Sequence, residues 1–221
     1  MGSSPVILDA VIIPLIRGPK ILDVGCGFGR WGALINTNYW ETCSKDTSGK
    51  PEVVACEGYL PNVELARDSG FYAEVIHLRF PPLAFENNSF DTVLLLDVIE
   101  HLKDEEGLAL VQEAKRVASG KVILSTPNYR AMRDAHATMT GWNHLEAHHS
   151  YWPRPYLRGL GFRLFGAGLR PGGRYWRGGL RRINLLPFYD QVVRPWLSSV
   201  SLYASFFSEN VVGLWEKGNC P

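Results

Sequence analysis

Three side chains able to move a proton or hold an ion fall within five residues of one another: Asp97, Glu100 and His101. Their i, i+3, i+4 spacing places all three on one face of a helix, provided that the helix starts directly after the apolar run Leu94–Leu96. Two carboxylates and an imidazole suit a divalent cation such as magnesium. Without an ion, His101 can serve as a base or orienter for a hydroxyl or ammonium that must lose its proton. Four of the six histidines, His136, His144, His148 and His149, lie between Arg130 and Ser150. Their spacing matches no zinc motif. His148 or His149 is expected to line the site beside His101, with surface or capping roles for the other two. The site is expected to be metal-free; the alternative is an ion held by Asp97, Glu100, His101 and His148.

A second set of residues suits a nucleotide-like ligand. Ile21-Leu22-Asp23-Val24 reads as a short buried strand running into Gly25-Cys26-Gly27-Phe28-Gly29, where missing side chains let backbone amides approach a ligand at a helix start. Glu57 ends the apolar run Val53–Cys56, as expected of a carboxylate that takes the two hydroxyls of a ribose. Its separation from Gly29 exceeds the roughly 20 residues usual for such a pair, because the polar stretch Asn36–Pro51 intervenes. An ordinary exposed acid at a strand end is the alternative for Glu57.

These groups need elements to hold them. Val6–Ile16, broken by Pro14, is expected to be a short helix covering the sheet edge or the mouth of the site. Arg30–Ile35 continues the glycine turn as helix, Asn36–Pro51 is expected to be an exposed loop, and Gly58–Ser69 has leucine and alanine at helical spacing. Ala73–Leu78 and Phe90–Asp97 read as strands, the latter apolar enough for the centre of a parallel sheet. Glu105–Val117 is an amphipathic helix. Val122–Ser125 is a further strand, with Thr126-Pro127-Asn128 turning the chain out of the sheet. A short helix at Pro155–Leu160 and strands at Phe162–Phe165 and Phe206–Trp215 complete the pattern.

Four stretches in this order, Ile21–Gly29, Leu83–Asp91, Asp97-Val98-Ile99-Glu100-His101-Leu102 and Lys121–Asn128, resemble the class I S-adenosylmethionine-dependent methyltransferases, especially the group that includes the ubiquinone-biosynthesis O-methyltransferases. The resemblance covers roughly residues 18–166. It implies a Rossmann-like α/β fold with a doubly wound seven-stranded sheet, in which Asp23, Gly25, Cys26, Gly27 and Gly29 shape the cofactor turn. Glu57 takes the ribose, Gly58 beside it is a further cofactor-binding residue, and Asp97 borders the reactive end. Where the family often carries an acid for the adenine amino group, this chain has Arg79. The implied activity is methyl transfer to an oxygen or nitrogen of a small-molecule acceptor. The Asp97, Glu100, His101 and His148 set also resembles the metal cluster of small-RNA 2′-O-methyltransferases, which makes a magnesium-dependent RNA enzyme the alternative.

The 221 residues, 46% of them hydrophobic, are enough for a single domain over 1–221. Residues 168–205 are expected to form a cap or flap inserted before the final strand. Within it, Arg170–Arg182 interleaves arginines with aromatics, which suits RNA, and the apolar pattern that follows suits peripheral membrane contact or core packing. A net charge of +1 gives no global pull toward nucleic acid or membrane. Cys26, Cys43, Cys56 and Cys220 have no disulfide or zinc spacing, and no run has signal-peptide or membrane-spanning character, so a cytoplasmic protein is expected. Two rivals remain: a nicotinamide oxidoreductase, and a catalytically silent cofactor-fold module that binds a partner through residues 168–205.

Overall fold

The computed structural model describes residues 4–42, 51–128, 136–138, 141–169 and 208–218. Seven strands form one sheet: β1 Lys20–Val24, β2 Glu52–Glu57, β3 Glu74–His77, β4 Phe90–Leu96, β5 Ala118–Pro127, β8 Arg163–Leu169 and β9 Ser208–Glu216. Their order is β3-β2-β1-β4-β5-β9-β8. The first five are parallel, and β9 runs antiparallel to both β5 and β8. A separate hairpin, β6 His136–Thr138 with β7 Gly141–Asn143, was not expected from the sequence.

Alternation along the central strands sorts their side chains to two faces. Leu22, Val24, Val93, Leu95, Val122 and Leu124 pack with α4 (Asp104–Val117) and with Trp152 and Leu157. Ile21, Leu94, Leu96 and Ile123 pack on the other face with Leu8, Ile12, Trp31 and Ile35. The first two of these come from the N-terminal segment, where α1 (Asp9–Ile12) sits between 3₁₀ turns, as the apolar Val6–Ile16 pattern predicts. Trp31 and Ile35 belong to α2 (Arg30–Thr42). A smaller cluster seats Val63 and Ala66 of α3 (Leu60–Asp68) against Ala55 and Val75.

Several boundaries differ from the sequence reading. The helix after the glycine turn runs to Thr42, well into the stretch expected to be loop. Asn36 and Thr37, residues that often leave helices, here bond back to the carbonyls of Gly32 and Ala33, so they sustain the turn instead of competing with it. Thr126 and Pro127 do not turn out of the sheet but extend β5, pairing with Val211 and Asn210. Parallel β4 has already ended by then, so proline's missing donor is needed only on the β9 side. The sixth strand of the sheet in chain order, β8, runs to Leu169, taking Gly168 and Leu169 from the expected cap. The rest of that cap, Arg170–Arg182 included, lies outside the described residues, as do Cys43 and Cys220.

The strand order reverses at β1, whose neighbours lead to β3 on one side and to β4 and β5 on the other. The carboxyl ends of β1 and β4 therefore border the crevice where open α/β sheets bind ligands. The Ser89-Phe90-Asp91 motif lies at the opposite end of the sheet. Its Asp91 accepts the Lys20 amide at 2.9 Å and abuts Gly120, where an added Cβ would lie 2.7 Å from the Asp91 carbonyl oxygen. That motif anchors strand entry.

Candidate active site

A cleft of about 760 Å3 opens over the carboxyl ends of the central strands, a size suited to small-molecule ligands. Its floor is the glycine turn. Gly25, Gly27 and Gly29 have φ of 71°, 56° and 98°, the left-handed region that glycine enters without steric cost. Gly25 also has no room for a side chain, since a Cβ would lie 2.7 Å from a Val98 methyl. The Gly25 amide donates to the Cys56 carbonyl at 2.8 Å, tying the turn to the end of β2.

Asp23 lies beneath the turn, almost wholly buried. Tyr72 donates its hydroxyl proton to an Asp23 carboxylate oxygen at 2.7 Å, and the Gly32 amide of α2 donates to the same tyrosine oxygen at 3.0 Å. Burial pushes the Asp23 carboxyl up to about 7, offset by the Tyr72 hydrogen bond and reinforced by the charge of Glu57. Glu57 ends β2 as a buried group, not an exposed strand-end acid. Its oxygens accept the amides of Gly27 at 2.9 Å and Tyr59 at 2.8 Å. Burial raises its pKa while those amides pull it down. Cys26, Gly27, Glu57, Gly58 and Arg79 line the cleft, whereas Asp23 and Gly29 support it from below and behind.

At the end of β4 the geometry departs from one helix face. Asp97 adopts φ 55°, a conformation that aspartate tolerates better than most residues. Its amide donates to the Ser125 carbonyl, and the Ser125 hydroxyl donates to its carboxylate at 2.6 Å. A single 3₁₀ turn, Ile99–His101, follows, and α4 begins only at Asp104. The i, i+3, i+4 face expected for Asp97, Glu100 and His101 therefore does not form, because no continuous helix leaves the strand.

Chain folding brings a different trio together. One ligand atom from each of Glu100, His101 and His148 lies within 4.8 Å of the others. Glu100 is buried and accepts the Thr126 hydroxyl at 3.1 Å; burial, then the nearby Asp97 charge, holds its carboxyl well above the usual range. His101 bonds through Nδ1 to the Ala147 carbonyl at 3.1 Å. A carbonyl only accepts, so Nδ1 carries the proton and Nε2 is the basic nitrogen. The His101 and His148 rings meet edge to face with centroids 4.8 Å apart.

The 144–152 segment is held in place by its backbone. His149 and Ser150 amides donate to the Glu100 carbonyl, and the Trp152 indole donates to the Ile99 carbonyl and the Ser150 hydroxyl. Gly107 lets the indole sit against α4, where a Cβ would come 2.4 Å from the ring. His148 is thereby buried in the site, while His149 lines the cleft with an exposed side chain. His144 is exposed at the start of a 3₁₀ turn.

Sequence reasoning missed Thr126, which it read as part of a turn, and Asn210, which it read only as part of the last strand. Thr126 bonds Glu100, and Asn210 lines the cleft. The signal that could have found Asn210 is its place at the start of the continuous buried run Val211-Val212-Gly213-Leu214 of β9.

A family model described as a methyltransferase domain matches residues 8–166. Among solved structures, a Mesorhizobium loti S-adenosylmethionine-dependent methyltransferase aligns with TM-score 0.57 and 15% identity, over 98% of this chain and 99% of that one. An Archaeoglobus fulgidus SAM-dependent methyltransferase aligns with TM-score 0.53 and 16% identity, over 95% and 91%. A Pyrococcus horikoshii OT3 protein reaches 26% identity over 55% of either chain, with TM-score 0.46. No curated protein matches by sequence. Among the described residues no helix is long and apolar enough to cross a membrane.

Proposed function

The chain belongs to the methyltransferase domain family and is an S-adenosylmethionine-dependent enzyme, and from that premise we propose that it methylates an oxygen or nitrogen of a small molecule seated against Glu100, His101 and His148. We further place it in the group that includes the ubiquinone-biosynthesis O-methyltransferases, and in the cytoplasm, where the buried free thiols Cys26 and Cys56 stay reduced.

The residues present fit the cofactor. The glycine turn provides a floor without side chains, and Glu57 and Gly58 stand where the ribose would be held. Asp97, at the end of β4, would border the cofactor's reactive end. When bound, the cofactor supplies a methyl group on a leaving group that is already activated. The protein's tasks are then alignment, exclusion of water and care of the acceptor's proton. His101 accepts that proton at Nε2, with Nδ1 locked by the Ala147 carbonyl, and His148 packs against the imidazole and fixes its plane. Glu100, held by the Thr126 hydroxyl at 3.1 Å, sits beside the imidazole with its carboxyl raised well above the usual range by burial and the Asp97 charge.

The observation that carries this reading is the position of that basic nitrogen and its partners in the same cleft as the glycine turn and Glu57. The test is calorimetric titration with S-adenosylmethionine and its demethylated product, followed by methyl transfer from labelled cofactor to small hydroxyl and amine acceptors. Binding at micromolar strength, with turnover lost in His101→Ala, is expected. Absence of binding refutes the reading.

One observation favours a second reading, a magnesium-dependent RNA 2′-O-methyltransferase: the convergence of Glu100, His101 and His148. Magnesium prefers an all-oxygen shell, whereas two of these three side chains offer imidazole nitrogen, and the metal-free reading ranks first. Magnesium-dependent turnover on RNA, with binding that weakens steeply in salt, would reverse the order.

A further inference from the structure

The stretch that leaves β7 reaches back across the cleft to the end of β2. The Trp142 carbonyl accepts the Tyr59 hydroxyl at 3.2 Å. Leu145 lies so close to Gly58 that a Cβ there would meet its methyl at 3.2 Å. Residues on both sides of Asn143 are thereby fixed to the two residues that follow Glu57. Beyond them, the Glu146 charge bears on Glu57 and Glu100 alike, and His148 packs on His101. One short segment therefore spans from the ribose carboxylate to the base, with anchors of its own at the Glu57 end.

Asn143 lines the cleft and is only 2% exposed. Its side-chain oxygen accepts the Leu145 amide at 3.0 Å. An N–H bonds only to an acceptor, so this contact fixes which end of the Asn143 amide is oxygen and which is nitrogen. Nδ2 is left with two donor hydrogens and, among the described residues, no acceptor. Unlike Arg30 Nη1 and Asn36 Oδ1, which are sealed in without partners, it is open to the cleft. The side chain cannot turn without giving up the Leu145 bond, so the donor is held ready for a ligand. Glu57 presents the complementary chemistry, since its oxygens accept the Gly27 and Tyr59 amides and take protons from further donors. A hydroxyl that gives its proton to Glu57 keeps lone pairs on its oxygen, and leaving them unmatched in a closed site costs affinity.

We propose that Asn143 is a cofactor-binding residue, donating from Nδ2 to a ribose hydroxyl oxygen whose proton Glu57 takes. The inference rests on the methyltransferase reading above. It gives the segment that carries His148 a second task, five residues before that histidine.

The test is calorimetric titration of the full chain with S-adenosylhomocysteine and with its 2′-deoxy and 3′-deoxy analogues. Asn143→Ser keeps an oxygen able to accept the Leu145 amide and removes the Nδ2 donor. It should weaken S-adenosylhomocysteine about 5-fold, the worth of one hydrogen bond. It should weaken one of the two deoxy analogues less than about 2-fold, because the oxygen that Nδ2 bonds is missing from that analogue. Asn143→Thr, a second side chain that accepts the Leu145 amide, should give the same pattern, and the urea midpoint of the ligand-free variants should stay within about 0.2 M of the wild type. Unchanged affinity for S-adenosylhomocysteine in both variants overturns the proposal. So does a loss of equal size for all three ligands, which is the behaviour of a residue that shapes the cleft without touching the ribose. Failure of S-adenosylhomocysteine to bind the wild type instead overturns the methyltransferase assignment of the cleft.

Discussion

Replacing Asp23 with asparagine should make the protein more stable as the pH rises. The wild-type carboxyl is buried beneath the glycine turn and its pKa is raised from 3.8 to about 7, mainly by burial. In the unfolded chain the group ionises near its ordinary value. A raised acid contributes stability that is full below pH 3.8 and is lost as pH climbs toward 7, because the folded state alone must hold the proton. At about 1.36 kcal/mol per pH unit, the loss totals roughly 4 kcal/mol, of which roughly 2 falls between pH 5 and pH 7 and most of the remainder below pH 5. Asparagine does not ionise, and its carbonyl oxygen can still accept the Tyr72 proton. Any fixed cost or gain of the amide shifts the variant's curve equally at every pH. The measurement is urea unfolding of both proteins at pH 5, 6, 7 and 8. The difference in unfolding free energy should grow in the variant's favour by roughly 2 kcal/mol from pH 5 to pH 7 and then level off. A difference that stays flat across that window would show that Asp23 is already ionised at pH 5 and would refute the account of the turn's support.

Gly25→Ala should lower stability by about 1–2 kcal/mol from the left-handed backbone alone, plus the contact with Val98, and should weaken S-adenosylhomocysteine binding, both readable by denaturation and calorimetry. Gly107→Ala forces Trp152 away from α4, so turnover should fall with little change in cofactor affinity, as the Ser150 and His149 backbone loses its anchor on the Glu100 carbonyl. Glu100→Gln should gain stability relative to the wild type as pH rises, because burial and then the nearby Asp97 charge hold the Glu100 carboxyl well above its usual range. A loss of several kcal/mol in urea unfolding would mean that it is an ionised, paired carboxylate.

The sheet was legible in the sequence because its central strands are buried on both faces and therefore read as unbroken apolar runs: Val53–Cys56, Leu94–Leu96, Val122–Leu124. Gly25 and Glu57 were legible for a related reason, since a residue at the end of a strand cannot slide without moving the whole register. What escaped was decided by contacts distant in sequence. Asn36 and Thr37 look like loop formers until their back-bonds to the preceding turn are seen. The face shared by Asp97, Glu100 and His101 was inferred from a helix that the left-handed Asp97 prevents. His148 joins Glu100 and His101 only because Trp152 and the Glu100 carbonyl draw the 148–152 segment over the site, which spacing along the chain does not encode.

The placement of β9 between β5 and β8 bears on how the chain acquires its shape during synthesis. Among the described residues β8 pairs only with β9, and β9 enters the sheet 39 residues after β8 ends, from Leu169 to Ser208. Until β9 leaves the ribosome, β8 has no strand to join, and the edge of β5 with its Thr126 and Pro127 stays open. The glycine turn and the strand ends of β1, β2 and β4 can therefore form before the β5–β9 side of the cleft exists. Ribosome-stalled chains ending before Ser208 should hold S-adenosylhomocysteine while the segment of β8 stays open to protease, and protection of that segment should arrive together with β9.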